Sequence, residues 1–493
     1  MEAAASLMAV DVRERSKLQV PFSDLREWLE GIDALGELRV VKGANWQEDI
    51  GMATEILQHN LEKGPTVIFD EIPGFPAGYR VNASAFSTIK RIAYTLGIDV
   101  NLSKIEMVEA WRRKLREHTP IPPVEVEWGP VLENVHKGDE VNLLEFPTPV
   151  WHENDGGRYI GTGSMDITRD PDTGHINLGT YRVMVHNEKQ AGFYISPGKH
   201  GRIAREKYFS RGEECPICVV CGEDPLLFLA SSTEVPLEQS EYAWAAGFRG
   251  APYEVIREPI TGLPIPAHAE IVLAGFATQN TKIMEGPFGE WTGYYGSQSR
   301  EEPIINVQAV YHRNDPILFG SPPNVPPDEQ SYFRAFMRSG LLREDIEKAG
   351  VPDVTGAWCH VVGGSRLLLA VSIKQRYPGH ARQAGHIAAM CHTGAYLGRY
   401  VIVVDDDIDV TNLEEVMWAV CTRSDPEQDI DIIKRAWSGA LDPIIPPAKR
   451  GHNSRAIIDA CKPWEWRDEF PMSGKPSAGW LKRAYDKFGY LVS

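Results

Sequence analysis

The sequence predicts a multidomain chain of mixed α+β and α/β class, and three observations carry that expectation. Before residue 120, apolar residues at helical spacing alternate with short extended runs. From 123 to about 319, glycine and proline punctuate extended runs at hairpin intervals, which predicts an antiparallel barrel or sandwich. Beyond 327, extended apolar runs alternate with helical stretches, the signature of βαβ units and a parallel sheet.

Residues 1–19 read as a leader, without the basic-then-apolar pattern of a secretory signal. A first helix starts near Asp24, with Glu27 as a capping-box acid and Leu25, Trp28, Leu29 and Ile32 as its apolar stripe. Val40 and Val41 mark a short strand, a second helix covers about 48–62, and 65–69 is a buried strand. Together they make an α+β domain over 20–122, ended by Pro120-Ile121-Pro122-Pro123. The middle domain, 123–327, is predicted to be extended at 159–168, 181–185, 216–220, 269–273 and 305–311. Prolines between 322 and 327 close it. A helix over 328–337 opens the last domain, 328–493, where strands at 367–373 and 399–404 flank a helix over about 381–396. A terminal helix at about 477–488 carries Trp480, Leu481, Ala484, Tyr485 and Phe488 on one face, suited to its own domain or to a second subunit.

Size and composition narrow the function. The 493 residues are 43% hydrophobic and 24% charged, ample for a large core. A net charge of -17 argues against nucleic acid and against an anionic membrane surface as partners. No apolar run approaches the length of a membrane span. Seven cysteines, an odd number without framework spacing, suit a reducing compartment, so a cytoplasmic location is expected.

The chemistry concentrates in the middle domain. Glu285-Gly286-Pro287-Phe288-Gly289-Glu290 sets two carboxylates around a turn that can bring them to one spot. Repulsion and burial would leave one of them protonated near neutral pH, ready to donate. Arg182 enters the apolar run Val183-Met184-Val185, where a guanidinium needs an anion or an acid partner. Asn177, His200 and Glu241 offer an amide oxygen, an imidazole and a carboxylate, a set suited to Mn²⁺ or Mg²⁺ with positions left for phosphate oxygens. Ser231 and Ser232 would add hydroxyls and backbone groups to the same anion.

Taken in order, Asn177-x-x-x-x-Arg182, Lys199-His200, Ala230-Ser231-Ser232 with Glu241, Glu285 to Glu290 and Asp405-Asp406-Asp407-Ile408-Asp409 resemble the UbiD family of prenylated-flavin decarboxylases. The resemblance spans about 25–459. It implies a central split β-barrel of the flavin-reductase type, flanked by the N-terminal α+β and C-terminal α/β domains. It implies prenylated FMN held through Mn²⁺ and K⁺. Asn177, His200 and Glu241 match the Mn²⁺ ligands; Leu178, Ala230, Ser231 and Thr233 match positions whose oxygens hold K⁺, with Glu241 shared. Thr180, Tyr181, Arg182, Lys199 and His200 match cofactor contacts, and Arg182, Glu285 and Glu290 match the catalytic set. The implied reaction is a reversible, non-oxidative decarboxylation of an aromatic, heteroaromatic or α,β-unsaturated acid through a covalent substrate–flavin adduct. Losing CO₂ from such an acid leaves an in-plane carbanion that only a cofactor can accept. Arg182 would steer the carboxylate and Glu290 would protonate the carbon. A flavin prenyltransferase would supply the cofactor, and a homodimer or homohexamer is implied.

This chain departs from the family in places. Thr393 stands where ferulate-type members carry a lysine near the flavin phosphate, and Lys199 is the candidate to replace its charge. Glu290 follows the ferulate-type branch, whereas Ser240-Glu241-Tyr242 and Gly293-Tyr294-Tyr295 look like the polyprenyl-hydroxybenzoate branch, so the substrate stays unassigned. Residues 322–325 and 441–445 are candidate liners of the acid pocket. Cys215-x-x-Cys218-x-x-Cys221 invites a metal, but on a strand Cys218 would face away from the other two. Asp405 to Asp407, at the end of a parallel strand, would suit a Mg²⁺-dependent phosphoryl-transfer enzyme, although no phosphate loop accompanies them. A non-catalytic assembly protein is the third alternative.

Overall fold

The structure is a computed structural model that describes residues 19–233, 235, 239–295, 299–439, 441–446 and 451–491. All but the last residue of the expected leader lies outside the described residues. The first helix, Leu25–Ala34, starts where the sequence places it: the Asp24 carboxylate accepts the Glu27 N–H at 2.9 Å. The Glu27 carboxylate reaches the Ser23 N–H and hydroxyl instead of its own cap residue. Leu25, Trp28, Leu29 and Ile32 are all buried, contributing roughly 2 kcal/mol each. The second helix is shorter than its periodicity suggests, Asp49–Gln58, because the chain turns through Asn60 and Gly64. A four-stranded sheet follows in the order Leu38–Lys42, Thr66–Asp70, Arg80–Ala83, Ile317–Phe319. Its last strand comes from the end of the middle stretch and runs parallel to Arg80–Ala83.

The middle stretch forms a nine-stranded sheet that curls into a half-barrel. Its order is Arg158–Gly161, Arg182–Val185, Gln190–Tyr194, Arg300–His312, Ile271–Glu285, Cys215–Cys221, Ser164–Arg169, Ile176–Gly179, with Asn134–Lys137 on the side of Arg300–His312. The expected single run 159–168 is two strands. The break falls at Gly163, where a Cβ would sit 2.6 Å from Phe319 Cδ1 and 3.0 Å from backbone. The runs expected at 269–273 and 305–311 belong to one long hairpin that carries Glu285 opposite Arg300. The Glu285–Glu290 segment is therefore not a tight reversal. It begins a loop that returns only at Arg300, with Gly286 at φ 90°, open to glycine alone without strain. Cys215, Cys218 and Cys221 lie on one buried strand. Cys218 packs into one core and Cys215 and Cys221 into the other, so the three sulfurs do not converge.

The last stretch is a five-stranded sheet, Val354–Cys359, Leu368–Ile373, Tyr400–Asp405, His452–Ala460, Ile430–Trp437. The predicted parallel pairing of Leu368–Ile373 with Tyr400–Asp405 is present, and the helix between them breaks at Cys391 into His380–Met390 and His392–Ala395. The helix expected over 328–337 continues to Lys348. Its Gly340 lets the helix approach Trp111, 2.7 Å from where a Cβ would stand. The terminal helix, Ala478–Phe488, leaves Trp480, Tyr485 and Phe488 more than half exposed. Among the described residues no helix is long and apolar enough to cross a membrane.

Candidate active site

Arg182 holds both carboxylates of the predicted acid pair. Its Nη2 donates to Glu285 Oε2 at 2.7 Å and its Nη1 to Glu290 Oε1 at 2.9 Å. The strand Arg182–Val185 places the guanidinium, and its cross-strand partner Tyr194 stacks beneath it, 4.5 Å from ring centroid to Cζ. Phe288, from the loop between the acids, lies 5.2 Å away on another side. Glu285 is fully buried, and its Oε1 has no hydrogen-bond partner among the described residues. Burial and the Glu285 charge raise the pKa of Glu290, more than Arg182 and Arg300 lower it. Burial opposes the charge on Arg182, but the two carboxylates outweigh it and raise its pKa. Arg182 thus lies between two acids, and Glu290 has its affinity for a proton raised.

The expected flavin-side residues gather around Tyr181. The Tyr181 hydroxyl accepts from Asn177 Nδ2 at 3.1 Å and from the Gly201 N–H at 3.0 Å, which ties the Asn177 strand to the first turn of the helix His200–Ser210. A Cβ at Gly179 would stand 2.3 Å from the Tyr181 ring and one at Gly201 2.5 Å from its hydroxyl, so both glycines admit the tyrosine. Glu241 opens the helix Glu241–Arg249, and its Oε2 accepts the Leu178 N–H at 3.1 Å. Burial pushes its pKa up to about 7, against the two backbone N–H groups that stabilise the carboxylate. Ala230 and Ser231 end the helix Pro225–Ser231, which packs on the Glu241 helix. Asn177, His200 and Glu241 thus sit on three elements that meet at residues 177–181. Thr180 is half-buried beside them, and Lys199 is exposed at the cap of the His200 helix.

Ser232 and Thr233 line a cavity with Arg334, Arg338, Arg366, His392 and Thr393. Thr393 donates its N–H and hydroxyl to Asp345, so it turns away from an anion in this cavity. Three arginines border the position where the sequence finds no lysine. Sequence reasoning offered Lys199 and missed them, since Arg334 lies in the predicted helix over 328–337, Arg338 just beyond it and Arg366 far from both, with no motif joining the three. The donor set therefore fits a metal-bridged nucleotide phosphate: a buried carboxylate in need of a cation, an amide oxygen, an imidazole, and arginines at the adjoining cavity.

Behind Glu290 lies a network that no motif announces. Gly289 N donates to Asp155 at 3.3 Å, and Asp155 also accepts the His152 N–H at 3.0 Å. His152 Nε2 donates to the Pro323 carbonyl at 2.8 Å, and its Nδ1 lies 3.7 Å from Glu55. This brings Pro323, of the candidate liners 322–325, beside the site; in 441–445, Asp442 is paired with Arg399. Burial raises Asp155 to about 6. Bonds from His152, Asn324 and His59 hold Glu55 down at about 2. A carboxylate with a depressed folded pKa contributes stability above its ordinary value of 4.5, and loses it as pH falls towards about 2. Glu55→Gln is expected to cost about 1 kcal/mol at neutral pH, after screening at this part-exposed site. Thermal melting between pH 7 and pH 2 checks it: the gap between variant and wild type should close on acidification.

Asp405 and Asp407 do not present a free acidic cluster. Arg423 binds both, at 3.2 and 2.8 Å, and Lys462 reaches Asp407 at 3.2 Å. Their charge is already neutralised by protein cations, which removes the support for phosphoryl transfer there.

Comparison with known proteins finds relatives along most of the chain. Residues 123–326 match the 3-octaprenyl-4-hydroxybenzoate carboxy-lyase Rift-related domain, and 331–460 match the C-terminal domain of the same family. A phenolic acid decarboxylase of Streptomyces sp. (strain D7) is 31% identical over 451 residues, 90% of this chain and 92% of the relative. A pyrrole-2-carboxylic acid decarboxylase of Pseudomonas aeruginosa is 29% identical, covering 94% of this chain and 95% of the relative. Among solved structures, the vanillic acid decarboxylase of Sedimentibacter hydroxybenzoicus in open form superposes with a TM-score of 0.83 at 30% identity, over 96% of this chain and 100% of that one. The UbiD-class enzyme HmfF from Pelotomaculum thermopropionicum, in complex with FMN, gives 0.81 at 26% identity, over 95% of this chain and 100% of that one. Fold and site define a carboxy-lyase. The chain belongs to the UbiD family.

Proposed function

We propose that this chain is a prenylated-FMN-dependent, non-oxidative and reversible decarboxylase of an aromatic, heteroaromatic or α,β-unsaturated carboxylic acid. One observation carries the reading: a single buried guanidinium, Arg182, grips Glu285 and Glu290 together. Asn177, His200 and Glu241 would hold Mn²⁺, with Leu178, Ala230, Ser231, Thr233 and Glu241 around K⁺. Thr180, Tyr181, Lys199, Ser231 and Ser232 would contact the cofactor, with Arg334, Arg338 and Arg366 nearest its phosphate. When bound, the prenylated flavin supplies the electron sink that the departing CO₂ requires.

The protein's own residues do the rest. Arg182 pairs with the substrate carboxylate while Glu285, fixed at the end of a strand, keeps the guanidinium from rotating. The incoming carboxylate adds negative charge beside Glu290 and strengthens its hold on a proton. CO₂ departs as a neutral molecule and leaves the bonding electron pair and its charge behind, so the carbon becomes basic and Glu290 can release the proton onto it. Tyr194 and Phe288 cover the guanidinium and keep water from competing for it. We also infer domains near 20–122, 123–327 and 328–493, a homodimer or homohexamer, a cytoplasmic location and a prenyltransferase as cofactor supplier.

The test is CO₂ release from a panel of unsaturated acids by enzyme made together with a flavin prenyltransferase. Colourless protein with no release from any acid would contradict the proposal. A narrower test addresses the metal. Asn177→Ala is expected to lose most of its flavin on gel filtration, measured by absorbance against protein. Full occupancy would count against the ligand set.

A further inference from the structure

A second cluster of metal-binding side chains lies at the opposite end of the long hairpin from Glu285. His136, Glu145 and His312 bring one ligand atom each within 4.8 Å of one another. His312 ends the strand Arg300–His312, and Glu285 pairs with Arg300 at the other end. At about 3.4 Å per residue, roughly 40 Å of strand separates them. The antiparallel pairing of Asn134–Lys137 with that strand sets His136 opposite Val310 and Asn134 opposite His312, so both imidazoles occupy the same face. Glu145 arrives from the short turn Leu143–Glu145.

Three features point to a cation. The Nδ1 of His312 lies 2.8 Å from the Arg313 carbonyl, which can only accept, so Nδ1 carries the hydrogen and Nε2 is left with a lone pair. That arrangement is how protein imidazoles are oriented towards metals. The two Nε2 atoms stand 3.3 Å apart. Ligand atoms on a tetrahedral zinc with bonds of about 2.0–2.1 Å are separated by about 3.3 Å. Glu145 Oε1 is buried and has no hydrogen-bond partner among the described residues. A hydrogen bond from His136 to His312 would account for the imidazoles but leave that oxygen unmet. Phe146 and Tyr79 pack on His312 at 5.5 and 5.9 Å between ring centroids, closing one side.

We propose that His136, Glu145 and His312 form a structural site for a zinc-class divalent cation, with a fourth position for water. The ion would staple the edge strand and the turn at Glu145 to the hairpin's end, where Tyr79 of the N-terminal sheet region docks. The experiment is equilibrium dialysis of the holoenzyme against Zn²⁺, with metal analysis and thermal melting, on wild type and His136→Gln. Wild type should retain one more Zn²⁺ per chain than the variant, and only wild type should melt higher with Zn²⁺. Decarboxylation should be the same in both. Equal zinc content with equal melting response would overturn the site. If His136→Gln does not fold, Glu145→Gln serves with the same two readings.

Discussion

Glu290→Gln is expected to abolish turnover while leaving the spectrum of bound flavin intact. Glutamine keeps the shape and can still accept from Arg182 Nη1, which Glu290 now meets at 2.9 Å. It cannot give up a proton to carbon. Losing a general acid costs about 10²–10⁴-fold. The flavin-side residues, on the strands and helices around Tyr181, are untouched, so cofactor content should match wild type. CO₂ release under saturating acid, read beside the absorbance spectrum, separates the two effects. Near-normal turnover would remove Glu290 from the role of proton donor. The pH profile offers an independent sign. Because burial and Glu285 raise the Glu290 pKa, activity that needs its protonated form should survive above the ordinary carboxylate range and fall as pH rises further.

Arg182→Met should be worse, because it damages both folding and chemistry. It leaves Glu285, wholly buried, without its cation. Breaking a buried pair from one side costs about 3–5 kcal/mol. Turnover should vanish as well, since nothing remains to orient the substrate carboxylate. Adding Glu285→Gln to the variant removes the stranded charge and should recover most of the stability but none of the activity. Urea unfolding of the single and double variants checks the first half, and CO₂ release the second. A single variant as stable as wild type would mean that Arg182 is not what accommodates Glu285.

Much of this site was legible because its residues conflict with their surroundings. An arginine heading the run Val183-Met184-Val185 requires a partner, and two acids bracketing Gly286 to Gly289 announce a shaped backbone. The central strands were legible at their apolar cores and illegible at their ends. Residues 279–282 of the long hairpin are exposed, and the pairing slips between Thr278 and Lys282, so no alternating pattern marks the strand there. The Glu55, His152 and Asp155 network has no local signature at all. Its members come from a helix, a loop and the far side of a turn, and only tertiary packing joins them. Arg334, Arg338 and Arg366 were hidden for a related reason: two lie on a long helix and one in a turn, and only the cavity beside Thr393 gives them a common destination.

Glu285 and Glu290 hang from different kinds of backbone. The first is the last rung of a ladder; the second rides on a loop outside the sheet, held by local bonds to Tyr294 and by Gly156 and Asp155 from a neighbouring loop. Capture of the acid and delivery of hydrogen are therefore mechanically separable. Lineages could reshape the loop to fit bulkier or smaller rings and retune the timing of one step while the other stays anchored. A scaffold divided in this way can diversify its chemistry's clientele without rebuilding its grip.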